Sequence, residues 1–379
     1  MISCQRHLFD IPDHIAYLNC AYMSPLMRLA VEAGEKGLER KTRPWEIRPD
    51  DFFSSSEEFR TVAARLLDAT RNDMAIIPSA SYGVAAAALN LPISRGQKIL
   101  ILEEQFPSNV YPWRRLAQQT EATLVTVPWP QDGDWTAAVI RELRDDVAIA
   151  ALAHVPWTSG GVLDLARIGE ACRSNGTALA LDLTQSLGAL PISVKQVQPD
   201  FAVAASYKWL LGPYSIGVMY VSPKWQVHGR PLEENWIQRE NARDFSGLIQ
   251  YVDGYEPGAR RFDMGERSNF ALLPAARAAM EQILAWGVEE ISIYSGALTK
   301  PLAAAAPLLG LTAWPEQFRA PHYLCLRTRT AVPPKLMERL QESHIFISVR
   351  GSSIRVTPHV YNSKAEVEKL LAVLEETLR

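Results

Sequence analysis

The sequence predicts an α/β fold, with a large domain built on a mostly parallel sheet and a smaller α+β domain at the C-terminal end. Between residues 98 and 221, short apolar runs alternate with amphipathic stretches of helix length, which is typical of a parallel sheet covered by helices. Near the C-terminus, short strands and helices mix again. At 379 residues the chain exceeds one ordinary domain. We therefore expect an N-terminal segment (1–20) that joins the small domain, a large domain (21–269) and a small C-terminal domain (270–379).

Most strand candidates of the large domain are near-continuous apolar runs, which suits strands buried on both faces. They are residues 98–102, 124–127, 147–155, 177–182, 201–205 and 217–221. The helix candidates between them are residues 109–119, 136–144 and 165–174, and Gly176 is expected to cap the last. The hydrophobic residues of 222–261 follow no clear helix or strand period, which indicates a functional or interface-forming segment.

The C-terminal part begins with a long helical region at residues 273–285 and 288–309. Its remaining elements are predicted strands at 322–327, 346–349 and 354–357, and predicted helices at 334–343 and 363–378. This mixture favours a compact α+β domain.

Composition excludes several classes of protein. Hydrophobic residues make up 47%, charged residues 21%, and the net charge is −3, so nothing favours nucleic-acid or membrane binding. No apolar run is long enough for a membrane span or a signal peptide, and we expect a cytoplasmic protein. The cysteines are widely separated, which predicts neither a metal site nor a disulfide framework; they are Cys4, Cys20, Cys172 and Cys325.

Two side chains at the ends of predicted strands carry the functional signal. Asp182 ends one apolar strand, Gln185 follows it, and Lys208 comes just after the strand at 201–205 and before a glycine-containing turn at 212–217. Ligands of open α/β sheets bind beyond the carboxyl ends of strands. A lysine can bond to the aldehyde of pyridoxal 5'-phosphate (PLP), and a carboxylate can keep the pyridine nitrogen protonated.

Each residue also has a simpler interpretation. Asp182 alone would more often be a turn or helix-capping residue, and Lys208 alone a solvated surface lysine. Their combination on successive strands, with Gln185 between them, favours the PLP interpretation. Lys208 is then the catalytic residue, because the freed amine can also move the α-proton of an amino-acid substrate.

The segment 179–217 resembles the PLP-binding region of the class V aminotransferase family. That fold type I family includes cysteine desulfurases, selenocysteine lyases, kynureninases and isopenicillin N epimerases. Other segments that resemble the family are residues 17–21, 77–83, 106–109, 261–265 and 354–363. The resemblance implies a seven-stranded type of sheet, an amino-acid substrate and a homodimer whose active sites use both chains.

Several residues are implied to bind the cofactor phosphate. The amides of Ala80 and Ser81 and the Ser81 hydroxyl would face it at a helix N-terminus, although Ser81 alone would suit a simple helix cap. Ser206 and Tyr207 would donate their hydroxyls. Ser268 is expected to reach the phosphate of the partner subunit.

Other residues are implied to bind the ring or the substrate. Phe106 would stack on the pyridine ring, unless it is a core phenylalanine, and Gln185 would donate to the phenolic oxygen. Trp157 would donate to that oxygen, line the substrate pocket or simply pack the domain. Arg355 would bind the substrate carboxylate, unless it forms a surface salt bridge, and Ala21 would lie beside the substrate.

The sequence departs from the family at two places. Residues 349–355 lack the long cysteine-bearing loop of desulfurases, and Cys325 lies on a predicted strand, so we expect no persulfide mechanism. Residues 266–269 replace the usual Gly-Thr-Pro. Transamination, β- or γ-elimination and epimerisation stay open, and the kynureninase-like segments favour C–C or C–S cleavage. A non-enzymatic protein would be expected to lose Lys208 or Asp182, and both are present.

Overall fold

A computed structural model describes residues 2–329 and 331–378 of the chain. The strands are β1 (Ala16–Tyr17), β2 (Met74–Ile77), β3 (Lys98–Leu102), β4 (Thr123–Val127), β5 (Val147–Ala153), β6 (Ala178–Asp182), β7 (Phe201–Ala205), β8 (Gly217–Val221), β9 (Leu324–Arg327), β10 (Ile345–Phe346), β11 (Ser348–Arg350) and β12 (Ser353–Val356). The α-helices are α1 (Arg28–Glu39), α2 (Asp51–Leu66), α3 (Ala80–Asn90), α4 (Tyr111–Thr120), α5 (Trp135–Glu142), α6 (Leu165–Asn175), α7 (Val194–Val197), α8 (Pro223–His228), α9 (Leu272–Trp286), α10 (Val288–Ala305), α11 (Pro334–Glu342) and α12 (Lys364–Leu378).

Seven strands form the central sheet, in the order β2-β8-β7-β6-β5-β3-β4. Strand β8 runs antiparallel to both of its neighbours, and the other neighbouring pairs are parallel. This confirms the predicted α/β fold with a mostly parallel sheet. The parallel strands therefore end at one edge, where the loops that follow them meet.

The core lies on both faces of this sheet. Along β3, Leu100 and Leu102 belong to one hydrophobic cluster, while Ile99 and Ile101 belong to the other. Successive side chains of a strand point to opposite faces, so a strand covered on both sides must be apolar at every position. This explains the continuous apolar runs of the sequence.

A smaller sheet, in the order β11-β12-β9, is antiparallel. Its apolar face, which includes Leu326 and Ile354, packs in a third cluster with residues of α10, α11 and α12. Near the N-terminus, β1 pairs in parallel with β10, with Ala16 opposite Ile345. The boundaries at residues 20 and 269 stay predictions. Nowhere in residues 2–329 and 331–378 is a helix both long and apolar enough to cross a membrane.

Some elements differ from the prediction. The strand expected at 346–349 is divided into β10 and β11, and the helix expected at 288–309 ends at Ala305 in a 3-10 turn. Pro307 lies in that turn, and it has no backbone N–H to continue the hydrogen bonds of the α-helix. Helices α1 and α2 were not predicted.

The packing of α1 against α9 explains why the sequence did not predict α1. A side chain at Gly37 of α1 would collide with the carbonyl of Phe270, whose oxygen would lie 1.7 Å from the added Cβ. Glycine therefore allows the close approach of α1 to the start of α9, at the expense of local helix propensity.

Buried ion pairs connect α2 to the segment before α9. Asp263 is fully buried and accepts hydrogen bonds from Arg60, from Arg267 and from the backbone N–H of Ile76 at 2.8 Å. Glu57 pairs with Arg60 and Arg260. These arginines offset the burial of Glu57 and hold the pKa of its carboxyl at about 2, so it stays ionised at neutral pH.

We expect Asp263→Ala to lower the free energy of unfolding by about 3–5 kcal/mol, because Arg60 and Arg267 would lose a shared buried carboxylate. Urea denaturation followed by circular dichroism measures the change. The exposed Asp145 is a matched control, and Asp145→Ala should change stability by less than about 0.5 kcal/mol. A similar effect of both substitutions would contradict the role of the network.

Candidate active site

A cavity of about 420 Å³ lies at the carboxyl ends of the central strands. Residues that end or directly follow β2, β3, β5, β6 and β7 line it. The predicted site residues that it brings together are Ala80, Ser81, Phe106, Trp157, Asp182, Gln185, Tyr207 and Lys208.

The amine of Lys208 is enclosed by aromatic rings. Its Nζ lies 5.5 Å from the ring centre of Phe106 and 5.4 Å from that of Tyr207, and the residue is 6% exposed. Burial lowers the pKa of the amine to about 8, and the charge of Arg355 contributes to the lowering while Asp182 opposes it. The neutral, nucleophilic amine is therefore accessible close to physiological pH.

Asp182 ends β6 directly beside Val203 of the parallel strand β7. One carboxylate oxygen accepts a hydrogen bond from the Thr184 backbone N–H at 2.9 Å. For the second oxygen, the described part of the chain provides no hydrogen-bond partner, and the residue is only 9% exposed. A buried carboxylate with a free oxygen can bind a protonated nitrogen of a ligand.

The N-terminus of α3 faces the cavity. Ser79 caps the helix by accepting from the Tyr82 N–H at 3.2 Å, and its hydroxyl lies 2.8 Å from that of Ser81. The first amides of a helix, here those of Ala80 and Ser81, have no partner within the helix. A side chain at Gly83 would lie 2.4 Å from Val203, so glycine lets α3 sit close to β7. The amides at this helix end are therefore available to an anion at the edge of the sheet.

Gln185 is held by three contacts. Its side-chain N–H₂ donates to the carbonyl of Ala21 at 3.3 Å, its side-chain oxygen accepts from the indole N–H of Trp209 at 2.9 Å, and its backbone carbonyl accepts from His322 at 2.8 Å. The amide is therefore fixed with one N–H still free to donate. Ala21 is buried, and its backbone carbonyl contacts Gln185 rather than the cavity.

Trp157 lines the cavity with its ring. The ring stands perpendicular to Phe106, with 5.4 Å between the ring centres. Its indole N–H donates to the carbonyl of Glu104 at 2.7 Å. That donor is used within the protein, so what Trp157 presents to a ligand is an apolar surface.

Arg355 lies behind Trp157. It is 2% exposed, and its guanidinium donates to the Trp157 carbonyl at 3.2 Å and to the Tyr323 hydroxyl at 3.1 Å. No carboxylate among the described residues lies within salt-bridge distance of it, and its Nε has no partner there. A buried cation without a counter-ion is costly, which favours an anion supplied by a ligand.

Four predicted residues do not line the cavity: Ala21 and Arg355, described above, and Ser206 and Ser268. The buried Ser206 donates its hydroxyl to the carbonyl of Pro213 at 2.6 Å, which fastens the turn after Lys208. Ser268 donates to the carbonyl of Phe52 in a separate surface groove. Neither hydroxyl contacts the Lys208 cavity within this single chain.

The structure adds residues that the sequence did not single out. Ser79, Thr184 and Tyr214 also line the cavity. Ser79 lies in the segment 77–83 and Thr184 in the segment 179–217. Their polar side chains beside predicted site residues could have indicated that they line the cavity. Tyr214 is 62% exposed, and its ring centre lies 4.6 Å from that of Tyr207. In the sequence, only its place in the turn 212–217 could have indicated that it lines the cavity.

These groups fit PLP. A buried amine, a buried carboxylate, free helix amides and an aromatic face are what its aldehyde, ring nitrogen, phosphate and ring require. Across residues 2–329 and 331–378, no group of three or more His, Cys, Asp or Glu side chains is arranged to hold a metal ion.

Comparison with known proteins identifies the relatives. The family described as aminotransferase class-V matches residues 48–370. The uncharacterized aminotransferase YcbU of Bacillus subtilis (strain 168) is 25% identical over 96% of this chain and 94% of its own length. A kynureninase of Yarrowia lipolytica (strain CLIB 122 / E 150) is 27% identical over 74% of this chain and 64% of its own length.

Solved structures share the fold. A C-DES variant with glycine covalently linked to its PLP cofactor matches with a TM-score of 0.85 at 20% identity, over 98% of both chains. At this identity the likeness supports a common fold type I architecture.

The lowered pKa of Lys208 predicts its reactivity. In cofactor-free protein, reductive methylation of Lys208 should increase as the pH rises through about 8 and then level off, because only the neutral amine reacts. Peptide mass spectrometry at a series of pH values measures it. In urea the same lysine should react with a midpoint of about 10.4. Identical midpoints in folded and unfolded protein would contradict the effect of burial.

Proposed function

Because the chain belongs to the class V aminotransferase family and is a PLP-dependent enzyme, we propose that it acts at the α-carbon of an amino acid bound between Lys208 and Arg355. The observation that carries this proposal is that the buried Lys208 and Asp182, which follow and end neighbouring parallel strands, line one cavity. Bound PLP withdraws electrons from the substrate's α-carbon.

In this proposal the chain's own residues divide the work. Lys208 would hold the cofactor at its aldehyde, and its neutral amine would be the group that accepts the α-proton of the substrate. Asp182 holds a proton on the ring nitrogen by charge and burial. The N-terminus of α3, with the Ser81 hydroxyl, binds the phosphate together with Tyr207.

Other residues position the ligands. Phe106 and Trp157 enclose the ring and exclude water from the α-carbon. The free N–H of Gln185 is available for the phenolic oxygen. Arg355 binds the substrate's α-carboxylate, which supplies the counter-ion that its buried guanidinium lacks.

The reaction subtype has two candidates. Transamination is the first. Cleavage of a C–C or C–S bond in the substrate's side chain is the second, and the kynureninase-like segments at 106–109 and 354–363 support it. We propose that a cysteine persulfide is not formed. Residues 350–353 form a tight hairpin turn without cysteine, and the buried Cys325 lines a different cavity.

Products distinguish the subtypes. The purified holoenzyme is incubated with a pool of amino acids without added keto acid, and cofactor and products are analysed by mass spectrometry. Conversion of PLP to its amine form with stoichiometric keto acid means transamination. Unchanged PLP with continuing release of a side-chain fragment means a lyase.

Lys208→Ala should lower kcat/KM by about 10³-fold or more, because it removes both the cofactor bond and the proton acceptor. Asp182→Ala should weaken cofactor binding and slow turnover together. The same product assay and the visible absorption of the cofactor measure these effects, and the exposed Lys335→Ala is the control. Normal turnover of the Lys208 variant would refute the proposed function.

We also propose a homodimer, since the groove that holds Ser268 is lined by Leu38, Phe52, Trp236 and Phe270. Apolar surface of this kind is typical of protein interfaces. In that assembly Ser268 would be available to the partner's phosphate site. A cytoplasmic location remains a prediction.

Sedimentation velocity should give about twice the chain mass of 42.2 kDa. Leu38→Asp should shift the protein toward monomer, because it places a charge in the groove. Leu308→Asp, which alters an equally exposed leucine on the small domain, should leave the mass unchanged. A wild-type monomer would contradict the assembly.

A further inference from the structure

The register of the small sheet places two arginines together. In the antiparallel pair β11–β12, Ser348 lies opposite Arg355 and Arg350 lies opposite Ser353. Opposite residues share a face, and so do residues two apart along a strand. Arg350 and Arg355 are therefore diagonal neighbours on one face, with Cβ atoms about 7 Å apart.

That face points toward the large domain. The opposite face of the hairpin carries Val349 and Ile354, which pack in the hydrophobic cluster of the small domain. Arg355 contacts Trp157 and Tyr323, and Trp157 lines the Lys208 cavity. Arg350 therefore lies on the same face as the buried Arg355, at its solvent-exposed end.

The charges on this face are not compensated. The side chain of Arg350 donates to the neighbouring carbonyl of Val349 at 2.8 Å, which uses one of its donors. Among residues 2–329 and 331–378, no carboxylate lies within 4 Å of the guanidinium of either Arg350 or Arg355. Burial and the charge of Arg355 lower the pKa of Arg350, while the phenols of Tyr323 and Tyr22 act in the opposite sense.

Arg350 does not itself line the Lys208 cavity, but Tyr323 and Tyr22 lie close enough to influence its charge. Tyr22 follows Ala21, whose carbonyl holds Gln185 at the cavity wall. One anion from a substrate would neutralise Arg355 alone. The guanidinium of Arg350 is exposed and lies in no ion pair among the described residues, so it is available to a second anion, and a planar carboxylate matches its fork of donors.

We infer that the substrate of this enzyme is an amino acid with a carboxylate in its side chain, that Arg355 binds its α-carboxylate, and that Arg350 binds the side-chain carboxylate. This inference rests on the proposed function. Arg350 is exposed, so its contribution is screened by solvent and is smaller than that of the buried Arg355. Its role is to select acidic substrates over their neutral isosteres.

The test compares ligands that differ in one charge. L-aspartate and L-asparagine, and L-glutamate and L-glutamine, are titrated into the PLP-loaded enzyme by calorimetry and by visible absorption of the cofactor. The acid of at least one pair should bind about fivefold to tenfold more tightly than its amide. Arg350→Gln should remove this difference and leave the affinity for the amide unchanged, and Arg350→Lys should keep part of it.

Arg167→Gln is the matched control, because it removes one exposed positive charge from α6 of the large domain; it should preserve the preference. Equal affinity for acid and amide in both wild-type pairs would overturn the inference, as would a preference that survives in Arg350→Gln. In either case, cofactor absorption that still responds to amino acids leaves the proposed function intact. If no natural amino acid changes the absorption or the heat, both proposals fail.

Discussion

The parallel pairing of β6 with β7 is the constraint on which the site depends. It carries the chain from Asp182 to Lys208 at one edge of the sheet, and helix α3 reaches that edge because Gly83 permits close packing on β7. Since these strands are buried on both faces, their ends can hold a carboxylate and an amine in a partly dry environment. The altered pKa of Lys208 follows from this architecture rather than from any single neighbour.

The buried arginines fall into two groups, which differ in whether a carboxylate of the protein neutralises them. Arg60 and Arg267 share the carboxylate of Asp263, so their charges are compensated inside the protein and join α2 to the segment before α9. Arg355 is equally buried, but its guanidinium donates to a carbonyl and a phenol and lies over the Trp157 ring, and among the described residues it has no carboxylate within salt-bridge distance. A compensated buried charge needs its partner for the fold to stay stable, whereas an uncompensated buried charge favours binding of an anion. This contrast supports a structural role for the first group and a ligand-binding role for the second.

The proposed substrate would connect two parts of the chain. Lys208 belongs to the central sheet, whereas Arg350 and Arg355 belong to the small sheet, which reaches the cavity through Trp157 and Tyr323. Binding of the substrate's carboxylates to these arginines would therefore position the α-carbon against Lys208. Contacts far from the reacting atom would in this way lower the barrier of the reaction.

The sequence by itself determined the mostly parallel sheet, because strands covered on both faces must be apolar throughout, and it predicted that Asp182 and Lys208 lie at one cavity, because strand ends are adjacent in such a sheet. Tertiary structure alone decided which polar atoms stay free. The indole N–H of Trp157 and the hydroxyl of Ser206 are used by backbone carbonyls of Glu104 and Pro213. The diagonal placement of Arg350 and Arg355 on one face of the hairpin was equally hidden, because it depends on the strand register, which local sequence patterns do not specify.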